Sequence, residues 1–152
     1  MALRHRVRTV LSYSPRRWGD LAVAAVVATR VERALARGGV DRAAAIGRVR
    51  VAMDGQAAPV VAVADAPLSE REREKIDTAW RMLQHPPFNG TCLRRAIVGG
   101  YFLRDREPIL RIGVTKTAGV VAAHAWIEID GAGLDPDGAE KYSVLTRPVG
   151  EQ

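Results

Sequence analysis

The hydrophobic period of this chain changes once, at Pro108. Upstream, Ile76, Ala79, Trp80 and Leu83 recur at i, i+3, i+4 and i+7, and Leu93, Ala96, Ile97, Gly100 and Tyr101 repeat the pattern. Downstream, Ile109 to Val114 and Val120 to Ile129 read as strands, the second strictly alternating over its last residues. A period of about 3.6 residues puts apolar side chains on one face of a helix, and a period of two puts them on one face of a strand. Helices followed by neighbouring strands make an α+β protein, so the C-terminal half reads as a helix leading into a small antiparallel sheet.

The boundaries of these elements are written in local chemistry. Ser69-Glu70-Arg71-Glu72 is a capping box, which predicts a helix of about four turns from there to the break at Pro86-Pro87. Asn89-Gly90 marks a tight turn, and a second helix starts at Cys92 and runs out at Arg104-Asp105-Arg106. Lys116-Thr117-Ala118-Gly119 separates the two strands, and Asp130-Gly131 is a strong hairpin signal. Before Ser69, Leu21, Ala24, Ala25, Ala28, Val31 and Leu35 fall at helical spacing, with Asp20, Arg30, Arg33 and Arg37 off the stripe, and Gly38-Gly39 suits a helix stop. Residues 51–67 leave three readings open. Gly55, Pro59 and Pro67 flank Val60, Val61 and Val63, which fits a short strand, a short helix or a covering loop.

With 152 residues the chain fits one compact domain, organised as a basic, mainly helical N-terminal region (1–66) ahead of a core at 67–152. The longest apolar run, Leu21 to Ala28, has eight residues, against the roughly 20 needed to cross a bilayer. Charged Asp20, Arg30 and Glu32 crowd that run and weaken a secretory-signal reading, so a cytoplasmic protein without a membrane partner is expected. Charge is uneven: residues 1–50 carry eleven Arg against Asp20, Glu32 and Asp41, a net +8, which leaves the remainder at −2 within the formal total of +6. A basic segment attracts nucleic acid, an acidic protein or an acidic peptide equally well. Twenty Arg against three Lys, in an alanine-rich chain, reads as compositional bias, and no aromatic stacking platform accompanies the arginines, so nucleic acid is not expected as a partner.

Cys92 is the sole cysteine, which excludes an internal disulfide and any multi-cysteine zinc site. A lone cysteine is most often a small buried hydrophobe. This one opens a helix, where unpaired backbone N–H groups and the macrodipole stabilise a thiolate. Of the three histidines, His5 lies in the basic tail and His85 in a proline-flanked turn, from which an approach to Cys92 stays open. His124 lies in Ala122-Ala123-His124-Ala125-Trp126-Ile127-Glu128-Ile129-Asp130, where alternation puts His124, Trp126, Glu128 and Asp130 on one face. A polar strand face is usually just solvent-facing; Trp126 on this one fits a half-covered cleft better. A helix of about 14 residues carries the chain roughly 21 Å out, and a strand of about eight returns it by roughly 26 Å, so the following strand passes the helix start.

A cysteine–histidine pair works best with a third group that orients the imidazole. If Asp130-Gly131 is a two-residue turn, Ile129 pairs with Ala132, Trp126 falls opposite Asp135 and His124 opposite Asp137. A Gly131-Ala132 turn would keep Asp135 on that face, opposite Glu128, whereas a three-residue loop would flip it, because a register change of one exchanges the faces. Pro136 should end the ladder just past Asp135, which favours Asp135 over Asp137.

Three segments, Thr91-Cys92-Leu93-Arg94-Arg95-Ala96, Leu110-Arg111-Ile112-Gly113-Val114 and Ala123 to Gly131, resemble the transglutaminase-like cysteine proteases of lasso peptide biosynthesis over about residues 69–145. The resemblance implies a transglutaminase/papain-like cysteine protease fold, with Cys92 as nucleophile, His124 as general base and Asp135 of Leu134-Asp135-Pro136 as the orienting acid. Asp137 is the substitute, because the spacing from His124 to Asp135 is a residue tighter than usual. It further implies the protease half of a split pair, which removes the leader of a ribosomally made precursor with a separate leader-recognition protein, ahead of a lasso cyclase. The basic N-terminal region is then a docking surface for that protein or the leader. No metal or cofactor is expected. The Cys92 backbone N–H is the natural oxyanion donor, and Asn89 is a guess for a second. Two rival readings remain: a transglutaminase-like acyltransferase on the same triad, and a noncatalytic basic peptide-binding module.

Overall fold

The computed structural model describes residues 14–61, 63, 65–134 and 142–146. Helix α1 (Pro15–Gly47) starts at the N-cap Ser14 and is interrupted at Gly39, whose φ of 71° is non-helical, so the expected stop at Gly38-Gly39 is a break between two helical stretches. Its buried positions are Asp20, Ala24, Val27, Ala28, Val31 and Ala34, continued by Ala43, Ala44 and Gly47 beyond the break. Asp20, expected on the polar face, is inside. It is met there by Arg71 of α2 (Glu70–Leu83), whose Nη1 and Nη2 lie 2.7 and 2.9 Å from the carboxylate oxygens. A buried charge is tolerated when it is paired in this way.

Helix α2 starts on the expected capping box: Glu72 N donates to Ser69 Oγ and Ser69 N donates to Glu72 Oε2. Helix α3 (Cys92–Phe102) begins at Cys92, as its sequence predicts, and buries Ala96, Ile97, Val98, Gly99, Gly100 and Phe102. These positions run round the helix because α1, α2 and the sheet all pack on it. A 3-10 turn (Arg104–Arg106) leads out of it to Pro108.

The sheet is mixed, whereas the sequence pointed to a small antiparallel one. Strands β3 (Ile109–Thr117), β4 (Val120–Ile129) and β5 (Ala132–Leu134) form the expected antiparallel meander. Both of its hairpins are two-residue turns with positive φ at both central residues, Ala118-Gly119 and Asp130-Gly131. Ile129 pairs with Ala132, which is the register inferred from the Asp-Gly signal. The segment that sequence left open supplies two short outer strands. β1 (Arg50–Ala52) runs parallel to β3 and β2 (Val60–Val61) runs parallel to β5, and β6 (Ser143–Val144) pairs antiparallel with Gly113 and Val114 of β3. Strands of two or three residues are too short to show alternation, and their long connections to β3 and β5 permit parallel pairing.

One face of the sheet carries Leu110, Ala125, Ile127, Ile129 and Leu134 into a core shared with Val31, Ile76, Leu83 and Ile97 of the helices. The opposite face, which alternation left polar, is closed too: β4 is buried continuously from His124 to Ile129. Among the described residues no helix is long and apolar enough to cross a membrane.

Candidate active site

Cys92 occupies the first turn of α3, where the helix leaves backbone N–H groups without intrahelical acceptors. The N-cap residue Thr91 makes no side-chain capping bond; its hydroxyl accepts from Arg94 Nη1 at 3.0 Å instead. The positive end of α3 is therefore left to whatever approaches Cys92. The helix start is fixed from two sides. Trp80 of α2 donates from Nε1 to the Arg95 carbonyl at 2.8 Å, and Arg94 forms a bidentate pair with Glu32 of α1, with Nη2 to Oε2 at 2.8 Å. The Arg94 guanidinium holds the Glu32 carboxyl below its ordinary range against the opposing effect of burial.

Cys92 itself is half-buried and lines a small pocket with Trp80, Arg95, Ala96, Ala125, Trp126 and Leu134. The pocket joins the start of α3 to β4 at the two residues that follow His124. The geometric expectation that the second strand passes the helix start is met at Ala125 and Trp126.

His124 is the first buried residue of β4 and is 6% exposed. It lies across the ladder from Gly113. Its imidazole does not line the Cys92 pocket; it stacks on the Tyr142 ring at 4.8 Å between centroids and 26° between planes, and on Trp126 at 6.1 Å and 23°. Trp126 thus belongs to both groups, lining the Cys92 pocket and stacking on the histidine. It is 2% exposed, so the face expected to be a half-covered cleft is covered. Tyr142 carried no signal in the sequence.

The same face holds a buried ion pair two residues further along β4. Arg111 Nε donates to Glu128 Oε2 at 2.8 Å, and the other carboxylate oxygen of Glu128 accepts from the Ala58 backbone N–H at 2.8 Å. Arg111 also pairs with Asp54. Burial pulls the Arg111 guanidinium down, but Glu128 and Asp54 hold it above its ordinary value. Arg111 and Glu128 together therefore tie Asp54 and Ala58 onto the sheet.

The remaining candidates divide simply. His85 and Asn89 are exposed, and neither lines the Cys92 pocket. His5, Asp135 and Asp137 lie outside the described residues.

Helix α3, with Cys92 in its first turn, thus packs on the strand that carries His124. The chain belongs to the transglutaminase-like superfamily, whose family model matches residues 2–147. That match takes in α1 and both outer strands, well beyond the 69–145 of the motif resemblance. No curated protein and no solved structure matches the chain significantly.

Proposed function

We propose that this chain is a cysteine peptidase that removes the leader from a lasso peptide precursor. The observation that carries the reading is the position of Cys92, at the uncapped start of α3 and in one pocket with the strand of His124, in a chain of the transglutaminase-like superfamily. In this mechanism His124 takes the Cys92 thiol proton as sulfur attacks the carbonyl at the leader–core junction. The developing oxyanion is met by the Cys92 backbone N–H at the positive end of α3. The C–N bond breaks, the histidine returns its proton to the departing amine of the core peptide, and the leader is held as a thioester. Water adds to that thioester, the C–S bond breaks and the thiol is restored.

Asp135 is the proposed orienting acid. The two-residue Asp130-Gly131 turn and the Ile129–Ala132 pairing support it, because a two-residue connection, unlike a three-residue loop, keeps position 135 in register with the face of His124. The exposed Arg30, Arg33 and Arg37 of α1, at helical spacing, support the basic N-terminal region as the docking surface for the leader-recognition partner or the leader.

The test incubates the protein, a lasso precursor peptide and the leader-binding partner, with Cys92→Ala in parallel, and reads intact mass. Leader and core products that require Cys92 support the peptidase. A leader mass increased by an added amine would identify acyl transfer instead. Equal inactivity of both proteins with intact peptide binding would leave the binding module.

A further inference from the structure

We infer that Tyr142 is a positioning residue for the His124 imidazole, held over the strand by the missing side chain of Gly113. The inference rests on His124 acting as the base for Cys92, and it names a residue that neither the motifs nor the proposed triad contains.

The argument starts at Gly113, the ladder partner of His124. A Cβ at this position would lie 2.9 Å from Tyr142 Cβ, 3.0 Å from Trp126 Cζ3 and 3.1 Å from Trp126 Cη2. The first of these is shorter than packed carbons approach and the other two would force the indole to give way, so two aromatic side chains occupy the space a side chain at 113 would need. Tyr142 is delivered there by β6, whose residues Ser143 and Val144 pair with Val114 and Gly113. The imidazole then lies within 26° of the plane of the Tyr142 ring at 4.8 Å and within 23° of the Trp126 ring at 6.1 Å.

This packing constrains the coordinate that a catalytic histidine needs fixed. The torsion about the Cβ–Cγ bond of histidine is broad and roughly two-fold, so little in the residue itself fixes the direction of its ring nitrogens. A ring packed face to face on another cannot turn about that bond without driving its edge into the neighbour. The contact uses the faces of the imidazole, so what it restrains is the plane of the ring. A tyrosine or phenylalanine ring supplies this restraint. An aliphatic side chain of similar volume fills the space without imposing a plane.

The test is the second-order rate of Cys92 alkylation by iodoacetamide at neutral pH, a readout that needs no peptide substrate and so is independent of the leader-peptidase reading. Tyr142→Leu is expected to slow alkylation about tenfold, toward the rate of His124→Ala, since misplacing a base by a fraction of its hydrogen-bond geometry costs one to two powers of ten. Tyr142→Phe, which keeps the ring, is expected to recover most of that loss. A wild-type rate in Tyr142→Leu, or an equal loss in Leu and Phe, overturns the inference. An unchanged rate in His124→Ala overturns the base reading and this inference with it. Because Tyr142→Leu can unfold the edge of the sheet, a second measurement uses the wild-type protein: nuclear Overhauser contacts between the Tyr142 ring protons and the His124 imidazole protons are expected, and their absence also overturns it.

Discussion

Arg111 and Glu128 form an ion pair of 2.8 Å with 6% and 3% of each residue open to solvent, on the sheet face that also carries His124. Removing one partner strands the other charge in a poorly hydrated site, whereas replacing both removes the demand for a partner. Glu128→Leu is therefore expected to lose about 3 kcal/mol or more of stability. The Arg111→Met, Glu128→Leu double variant should lose clearly less than the sum of the single losses. Guanidinium unfolding of the four proteins measures the coupling, and strict additivity would show that the pair does not act as a unit.

The pair between Glu32 and Arg94 makes stability depend on pH. Its hydrogen bond to Arg94 lowers the Glu32 carboxyl below its ordinary value, so the folded state binds this proton less readily than the unfolded chain. Its contribution is complete above the ordinary glutamate range and is lost as pH falls through the lowered folded value. The side chains are 36% and 24% exposed, so solvent screening holds the contribution to about 1 kcal/mol. Glu32→Gln should be destabilised by that amount at pH 7 and converge on the wild type as pH falls below the ordinary glutamate range in thermal melts. A constant offset at neutral and low pH would contradict the assignment.

Trp80 Nε1 reaches the Arg95 carbonyl at 2.8 Å, from the helix that precedes the cysteine turn. Trp80→Phe keeps the ring packing and removes the donor, leaving a carbonyl of α3 short of one partner. A loss of about 1–2 kcal/mol is expected. Because Trp80 also lines the pocket at Cys92, alkylation of the thiol should change in rate as well. Loss of stability with unaltered thiol kinetics would limit Trp80 to a packing role.

Gly47, the last residue of α1, lies against α3 so closely that a Cβ would be 2.6 Å from both Ile97 Cγ2 and the Ile97 carbonyl oxygen. The oxygen is backbone and cannot rotate aside. Gly47→Ala is expected to lose about 1–3 kcal/mol in denaturant unfolding, even though alanine favours a helix elsewhere. A neutral or stabilising effect would mean that α1 and α3 can separate without cost.

How far the sequence could be read follows from the range of the interactions involved. The capping box at Ser69, the start of α3 at Cys92 and the Asp130-Gly131 turn are set by bonds spanning a few residues, and all three stand in the structure as their sequence signals implied. The turn also fixed the register of β5, because a two-residue connection allows a single pairing at its base.

Tertiary structure decided what lies beyond that range. Asp20 reads as a polar helix residue and is buried, because Arg71, 51 positions away, meets it inside. Trp126 and Glu128 read as part of a half-covered cleft and are fully enclosed, because residues 54–58 fold over Glu128 and Tyr142 arrives beside His124. The two outer strands show no period because they are two and three residues long, and their pairing exists only once β3 and β5 are in place. Which residues start helices and turn strands is encoded locally, since hydrogen bonds between near neighbours suffice for both. Which faces are covered, and what rests on His124, depended on contacts between distant segments, whose pairing no local pattern encodes.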